Sequence, residues 1–255
     1  MDLELKGKRA LVTGGTHGIG LAIACGLARE GCDVAVCSRK QGHISNTRSM
    51  IKNLFNVSCI GICCDAIYES EIEETIDFIK EKWGGVDILI NNVGGGGRWG
   101  NENVLATEEL VWIDVYQKNA GAATQFTMNL LPIMIENNWG RVVTISSIYG
   151  KEGGGRPWFN MAKAAEISLM KTLAMNSELV KHNITFNSIA PGAIMISDTG
   201  WDDEEEAKSK IKQLPLGRMG TPEEVANVAV FLCSSKASLV NGACITVDGG
   251  ESRSF

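Results

Sequence analysis

A chain of 255 residues with 44% hydrophobic content is long enough to bury a core on both faces of a sheet, so a single large domain is expected. A formal net charge of −6 offers no basic face of the kind that nucleic acids and anionic membranes require, which leaves a small molecule as the expected partner. No export-type apolar segment and no run of about 18 apolar residues is seen, so the expected location is the cytoplasm.

The first strand is KRALVTGG. The turn that follows it, within LVTGGTHGIG, places Gly14, Gly18 and Gly20 ahead of a helix, GIGLAIACGLAREG. Missing Cβ atoms there let backbone approach a pyrophosphate at a helix N-terminus. A glycine-rich turn needs a strand before it and a helix after it to carry this meaning, and both are present. The second strand, CDVAVCSR, runs out at Cys37, Ser38, Arg39 and Lys40. A site for NAD generally carries an acid at this point for the ribose hydroxyls. Arg39 can instead pair bidentately with a 2′-phosphate, and Ser38 can add a hydroxyl. NADP is therefore the expected cofactor, in preference to NAD.

The remaining strands are NVSCIGICCD, VDILINN, GRVVTISS, HNITFNSIAPG and GACITVDGG. Apolar residues fill both faces of most of them, the pattern of a parallel sheet covered by helices on either side. Between them lie SEIEETIDFIKEKWG, a long stretch from Glu108 to Asn138, WFNMAKAAEISLMKTLAMNSEL and TPEEVANVAVFLCSS, with apolar residues largely at helical spacing. The expected fold is one doubly wound α/β domain with seven parallel strands. Two irregular stretches, about 94–104 and about 193–219, each follow a strand C-terminus and are expected to form the substrate loops. The acids Asp202 to Glu206 read more simply as a solvated helix start.

The eight cysteines form no CxxC pair, and His17, His43 and His182 are scattered. Reduced, mostly buried thiols are expected, and no metal site.

The motifs TGGTHGIG, NNVGG at Asn91 to Gly95, ISS at Ile145 to Ser147, FNMAK at Phe159 to Lys163, NSIAPG at Asn187 to Gly192 and the terminal VDGG occur in one order along the chain. In that order and spacing the chain resembles the classical short-chain dehydrogenases/reductases, from about Leu5 to Gly250. The resemblance implies a Rossmann-type sheet, a nicotinamide cofactor, and a homotetramer or homodimer, with the TPEEVANVAVFLCSS helix and the last strand matching a pairing surface. It places Gly14, Thr16, His17, Gly18 and Ile19 at the pyrophosphate turn, Asp65 and Ala66 beside adenine, and Asn92 with Gly94 beneath the cofactor. Pro191, Gly192 and Ile194 match the segment near the nicotinamide amide. Two residues after Ile194 the family usually has Thr; here it is Ile196, and Thr199 is the substitute the resemblance suggests. Asn119 matches the residue that holds a relay water, Ser147 (with Ser146 as second choice) the hydroxyl that orients the substrate, and Lys163 the lysine that binds nicotinamide ribose and lowers a tyrosine pKa.

That tyrosine should stand at position 159, where the chain has Phe159. The expected reaction moves a hydride between nicotinamide and a carbonyl or carbinol carbon while the phenol passes a proton. A phenyl ring passes none. Three readings stay open: a deliberately disabled Tyr→Phe version of an active enzyme, which the retained Asn119, Ser147 and Lys163 favour; proton supply by Tyr149; or a naturally non-catalytic dinucleotide-binding or regulatory module. Arg98, Trp99, Arg156, Trp158 and Trp201 are expected around the mouth of the cleft, suiting a polar, anionic substrate such as a sugar derivative or keto acid. In the plainer alternative the tryptophans pack the loops and the arginines pair with Asp198, Asp202 or Asp203.

Overall fold

The computed structural model describes residues 1–196 and 204–254. Seven strands, β1 (Arg9–Thr13), β2 (Asp33–Ser38), β3 (Cys59–Cys63), β4 (Ile88–Asn91), β5 (Gly140–Ile145), β6 (Ile184–Pro191) and β7 (Cys244–Val247), form one sheet. Its order is β3-β2-β1-β4-β5-β6-β7, and every neighbouring pair is parallel. The helices are α1 (Gly18–Arg29), α2 (Gln41–Phe55), α3 (Glu69–Trp83), α4 (Glu109–Tyr116), α5 (Ala122–Glu136), α6 (Pro157–Ala174), α7 (Ser177–Val180), α8 (Glu204–Gln213) and α9 (Pro222–Cys233).

Successive strand residues point to opposite faces. Ala10, Val12, Val34, Val36, Ile88 and Ile90 therefore meet Ile23 and Leu27 of α1 and Val225 and Ala229 of α9 in one core layer. Leu11, Ala35, Leu89 and Val142 face the other way, against Ile72 and Ile76 of α3, Phe126 and Leu130 of α5 and Met170 of α6. The doubly wound sheet expected from the continuous apolar runs is thus the observed one. Strand order reverses between β1 and β4, and the crevice at their C-terminal ends is where such sheets bind ligands.

Local signals set the helix limits. Glu69 and Glu71 in the first turn of α3 and Lys80 and Lys82 in its last complement the helix dipole, and Gly84 ends it at φ +73°. A capping box starts α9: the Thr221 side chain accepts from the Glu224 N–H, and the Glu224 carboxylate accepts from the Thr221 N–H at 2.9 Å. Thr221→Ala should cost about 1 kcal/mol and lower the Tm by about 2–4 °C in a chain of this size, measurable by thermal melts.

The stretch Glu108 to Asn138 is not one helix. α4 passes into α5 through a π-helical turn at Gln117–Gly121. The cause is Asn119, whose Nδ2 donates to the Val115 carbonyl at 2.7 Å. That carbonyl is the one its own N–H would take in an α-helix, and the side chain widens the ladder there. All eight cysteines are unpaired thiols. Among the described residues no helix is long and apolar enough to cross a membrane, and no cluster of metal-ligating side chains forms.

Candidate functional site

Where the strand order reverses, Thr13 ties the ends of β1 and β4 together. Its hydroxyl donates to the Ile90 carbonyl at 3.2 Å and accepts from the N–H groups of Asn92 (2.9 Å) and Val93 (3.0 Å). Asn92 returns the link, its Nδ2 donating to the carbonyls of Thr13 (2.9 Å) and Gly14 (3.3 Å). The turn above them needs glycine: Gly14 and Gly18 lie at φ +63° and +50°. A Cβ on Gly20 would lie 2.3 Å from the Gly14 carbonyl oxygen, so α1 packs directly on the turn.

No side chain caps α1 at His17, and no acid stands in its first turn. Its first N–H groups therefore suit an anion, beside the half-buried Thr16 and Ile19. Ile196 lies over the same turn, its Cγ2 2.9 Å from where a Gly18 Cβ would be. Thr199, suggested as a substitute for the family threonine, lies outside the described residues.

The adjoining strand ends carry the next group. Ser38 closes β2, and Arg39 beyond it is exposed. After β3, the Asp65 N–H donates to Glu71 Oε2 at 2.7 Å, its carboxylate accepts from the Ile67 N–H at 3.3 Å, and Ala66 is buried. Lys118 reaches over from the π-helical turn; burial lowers its pKa, helped by the positive charge of Arg39 and opposed by Asp65. Its ammonium sits 4.5 Å from the centre of the Trp99 ring.

Toward β5 the cleft widens to about 680 Å³, lined by Ser147, Tyr149, Phe159, Pro191, Gly192 and Ile194 among others. Ser147 stands two residues beyond β5, its Oγ accepting the Tyr149 N–H at 3.2 Å. The Ser146 hydroxyl is engaged, donating to the Lys163 carbonyl at 2.8 Å. On α6, Lys163 stands one turn after Phe159, with its Nζ 5.8 Å from the phenyl centroid. That Nζ donates to the Ile145 carbonyl (3.0 Å) and to both oxygens of Glu166 (3.1 and 3.0 Å). Both side chains are buried. Burial pushes the Glu166 carboxyl up to about 7 against the pull of Lys163 and Ser146.

Asn119, wholly buried, holds the loop after β4: its Oδ1 accepts from the Gly95 N–H at 3.1 Å, and its Nδ2 donates to the Gly95 carbonyl at 2.8 Å. Gly94 sits against both groups. A Cβ there would lie 2.6 Å from Asn119 Oδ1 and 3.0 Å from Lys163 Nζ. Asn119, Lys163 and Gly94, far apart in sequence, thus meet beneath the cleft.

On the far wall the Gly192 N–H donates to the Val247 carbonyl at 3.1 Å, and Ile194 makes a parallel bridge to Gly220. Glu251 clasps this wall, accepting from the Ala193 N–H and from Lys210 of α8, both at 2.6 Å. The expected ring of aromatic residues at the mouth is partly overturned. Trp158 is fully buried, packed edge-on against Trp112 at 5.3 Å and beside Val115 and Ala162, because its place near the start of α6 faces α4 rather than the cleft. Trp99 remains 40% exposed. Arg98 and Arg156 line the cleft, and Arg156 pairs with Glu102 at 3.7 Å. Trp201, Asp198, Asp202 and Asp203 lie outside the described residues. Glu166, Lys118 and Glu251 escaped the sequence reading; only Glu166 had a local signal, three residues beyond Lys163 on one helix face.

Comparison with known proteins agrees with this architecture. A family model described as Enoyl-(Acyl carrier protein) reductase matches residues 14–252. The 3-oxoacyl-(acyl-carrier-protein) reductase FabG of Aquifex aeolicus (strain VF5) is 38% identical over 251 residues, covering 98% of this chain and 99% of that one. The crystal structure of L-sorbose reductase from Gluconobacter frateurii, complexed with NADPH and L-sorbose, superposes with a TM-score of 0.92 at 30% identity over 100% of both chains. A 7α-hydroxysteroid dehydrogenase complexed with NADH and 7-oxo glycochenodeoxycholic acid gives 0.90 at 32% identity, over 99% of this chain and 97% of that one.

Proposed function

The chain belongs to the short-chain dehydrogenase/reductase family of oxidoreductases, and from that premise we propose an NADP(H)-dependent reaction that interconverts a carbonyl and a secondary alcohol on a small polar substrate. In this reading Phe159 occupies the place of the proton-donating tyrosine. The observation that carries it is one cleft lined by Ser147, Phe159 and, at the start of α1, Ile19, with the buried Lys163 ammonium 5.8 Å from the Phe159 ring.

The residues present fit a dinucleotide: a positive-φ turn that favours glycine, an uncapped helix start, and a loop at Gly94 packed too closely on Asn119 and Lys163 for a Cβ. Gly14, Thr16, His17, Gly18 and Ile19 would hold the pyrophosphate, Ser38 and Arg39 a 2′-phosphate, and Asp65 with Ala66 the adenine. Asn92 and Gly94 would lie beneath the cofactor, Pro191, Gly192 and Ile194 beside its amide, and Lys163 at its ribose. When bound, a nicotinamide dinucleotide supplies the hydride. Ser147 orients the substrate oxygen, and Asn119 holds the loop that the cofactor rests on.

Arg39 decides between the two dinucleotides. Relatives are known with NADPH and with NADH, and a guanidinium at the end of β2 matches the phosphorylated one. A charge-assisted contact of about 1.5–3 kcal/mol corresponds to roughly ten- to hundredfold in Kd. Arg39→Asp should weaken NADPH binding by about that factor and leave NADH binding equal or tighter, read by fluorescence titration. An unchanged NADPH Kd would sink the NADP reading.

For the substrate, the charged groups on the cleft wall, Arg98, Arg156, Glu102, Lys210 and Glu251, favour a polar molecule. A homotetramer or homodimer belongs to the same reading, supported by exposed Leu110 and Ile113 on α4 and Met161 on α6; a monomer by light scattering would remove it. One observation favours a second reading, a dinucleotide-binding module without turnover: Phe159 has no proton to give.

A further inference from the structure

A carboxylate has two accepting oxygens, and at Glu251 each serves a different element of the cleft. Oε2 accepts from the Ala193 N–H at 2.6 Å, between Gly192 and Ile194 on the cleft wall. Oε1 accepts from Lys210 Nζ of α8, also at 2.6 Å. We propose that Glu251 is a positioning residue: it fixes the peptide beside the place of the nicotinamide amide and, through Lys210, ties α8 to that peptide, so that the cofactor wall and the substrate side of the cleft hold one arrangement. This inference rests on the dinucleotide-binding reading given above.

The carboxylate has a fixed mount. Beyond β7, Gly249 and Gly250 turn the chain at φ +62° and +84°. Asp248 closes that turn, its carboxylate accepting from the N–H groups of Gly250 (3.0 Å) and Ser252 (2.7 Å). Further on, Glu152 Oε2 accepts from the N–H groups of Arg253 (2.8 Å) and Ser254 (2.9 Å). Glu251 therefore stands between two anchored stretches rather than on a loose tail. Its approach to the wall depends on Gly192, where a Cβ would stand 2.5 Å from Oε2.

Backbone bonds hold the rest of the wall. The Gly192 N–H donates to the Val247 carbonyl at 3.1 Å, and the Ala193 carbonyl accepts from the Gly220 N–H at 2.9 Å. Glu251 supplies the side-chain contact, at the peptide between those two. Toward α8 the wall is joined by a small apolar cluster, in which Ala207 and Ile211 of α8 pack with Leu214, Met219 and Ala193. Lys210 adds the charged link. Its side chain is 23% exposed and that of Glu251 is 11% exposed, so water screens the pair only in part.

Hydrogen exchange read by mass spectrometry on the cofactor-free protein tests the tie in two segments, residues 190–196 and α8. Glu251→Ala should speed exchange in both by about tenfold, the low end of what one charge-assisted hydrogen bond supplies. Glu251→Gln keeps an oxygen for the Ala193 N–H and loses the charge that holds Lys210. It should speed α8 alone, as should Lys210→Met, and the two combined should add nothing further there because they remove the same link. Exchange in α8 that stays native in Glu251→Ala, or acceleration spread evenly over the whole chain, overturns the inference.

Cofactor binding supplies a readout that general destabilisation does not move in this pattern. The NADPH Kd, by fluorescence titration, should rise about tenfold in Glu251→Ala and stay close to native in Glu251→Gln. Equal Kd values in all three proteins overturn the positioning role, as does an equal rise in both variants. A native protein that binds no NADPH overturns the dinucleotide reading and the cofactor half of the inference with it, while the exchange pattern still decides the tie to α8.

Discussion

Phe159→Tyr should raise NADPH oxidation with an accepted carbonyl substrate by about 10²- to 10⁴-fold, the range that a positioned proton donor supplies. The phenyl ring is half-buried on the cleft wall, with its centroid 5.8 Å from Lys163 Nζ. Adding a phenolic hydroxyl keeps the ring shape and extends it by one oxygen. Ser147 lines the same cleft, and Lys163 stands one helical turn beyond Phe159 on α6. The nearby ammonium lowers the phenol pKa, while an ionised Glu166 offsets part of that charge. Turnover in the tyrosine variant should therefore be helped by low pH in a way that Glu166→Gln in the same background removes. The measurement is a side-by-side assay of both proteins over ketones, keto acids and oxidised sugars. Turnover in the tyrosine form alone identifies a reductase lacking its donor. Silence from both, with NADPH bound, moves the conclusion to a binding module.

Gly94→Ala should have the largest opposite effect. Its Cβ would stand 2.6 Å from Asn119 Oδ1 and 3.0 Å from Lys163 Nζ. Neither neighbour can step aside cheaply: Asn119 is tied to the backbone of Gly95 and Val115, and Lys163 to Ile145 and Glu166. The loop after β4 must shift instead, moving the floor of the proposed cofactor site. Overpacking of this kind costs about 1–3 kcal/mol, and NADPH affinity should fall more than about tenfold, beyond the ~1.4 kcal/mol that tenfold represents. Gly153→Ala is the control, since its Cβ would meet nothing within 4 Å. Thermal melts and cofactor titration of the two variants check both statements, and an alanine at 94 that binds NADPH normally would refute the crowding argument.

Most of the site's chemistry was visible locally, and most of its geometry was not. The positive-φ turn at Gly14 and Gly18, the basic residue after β2 and the missing hydroxyl at 159 are properties of short stretches, so one sequence suffices to see them. The placing of Trp158 went wrong because an aromatic residue near a helix start has two faces to choose from, and only the packing of α4 against α6 selects the buried one. The stretch with helical spacing across Asn119 likewise carries a π-helical turn there, where the Asn119 side chain bonds to the Val115 carbonyl and to Gly95 of a loop more than twenty residues away in the chain.

By itself, then, the amino-acid order determined seven strands apolar on both faces, the winding that follows from them, and the inventory of donors, acceptors and glycines along one sheet edge. These depend on periodicity and on what each side chain chemically is. The tertiary structure alone decided which of those groups are spoken for. Lys163 looks like an available cation in the sequence, yet its ammonium is buried against the Ile145 carbonyl and the Glu166 carboxylate. Glu251, an unremarkable acid near the end of the chain, holds Ala193 and Lys210 at the cleft wall. Burial and hydrogen-bond partnership are set by what the fold brings within about 3 Å, and that distance is a property of the packed chain rather than of any segment of it.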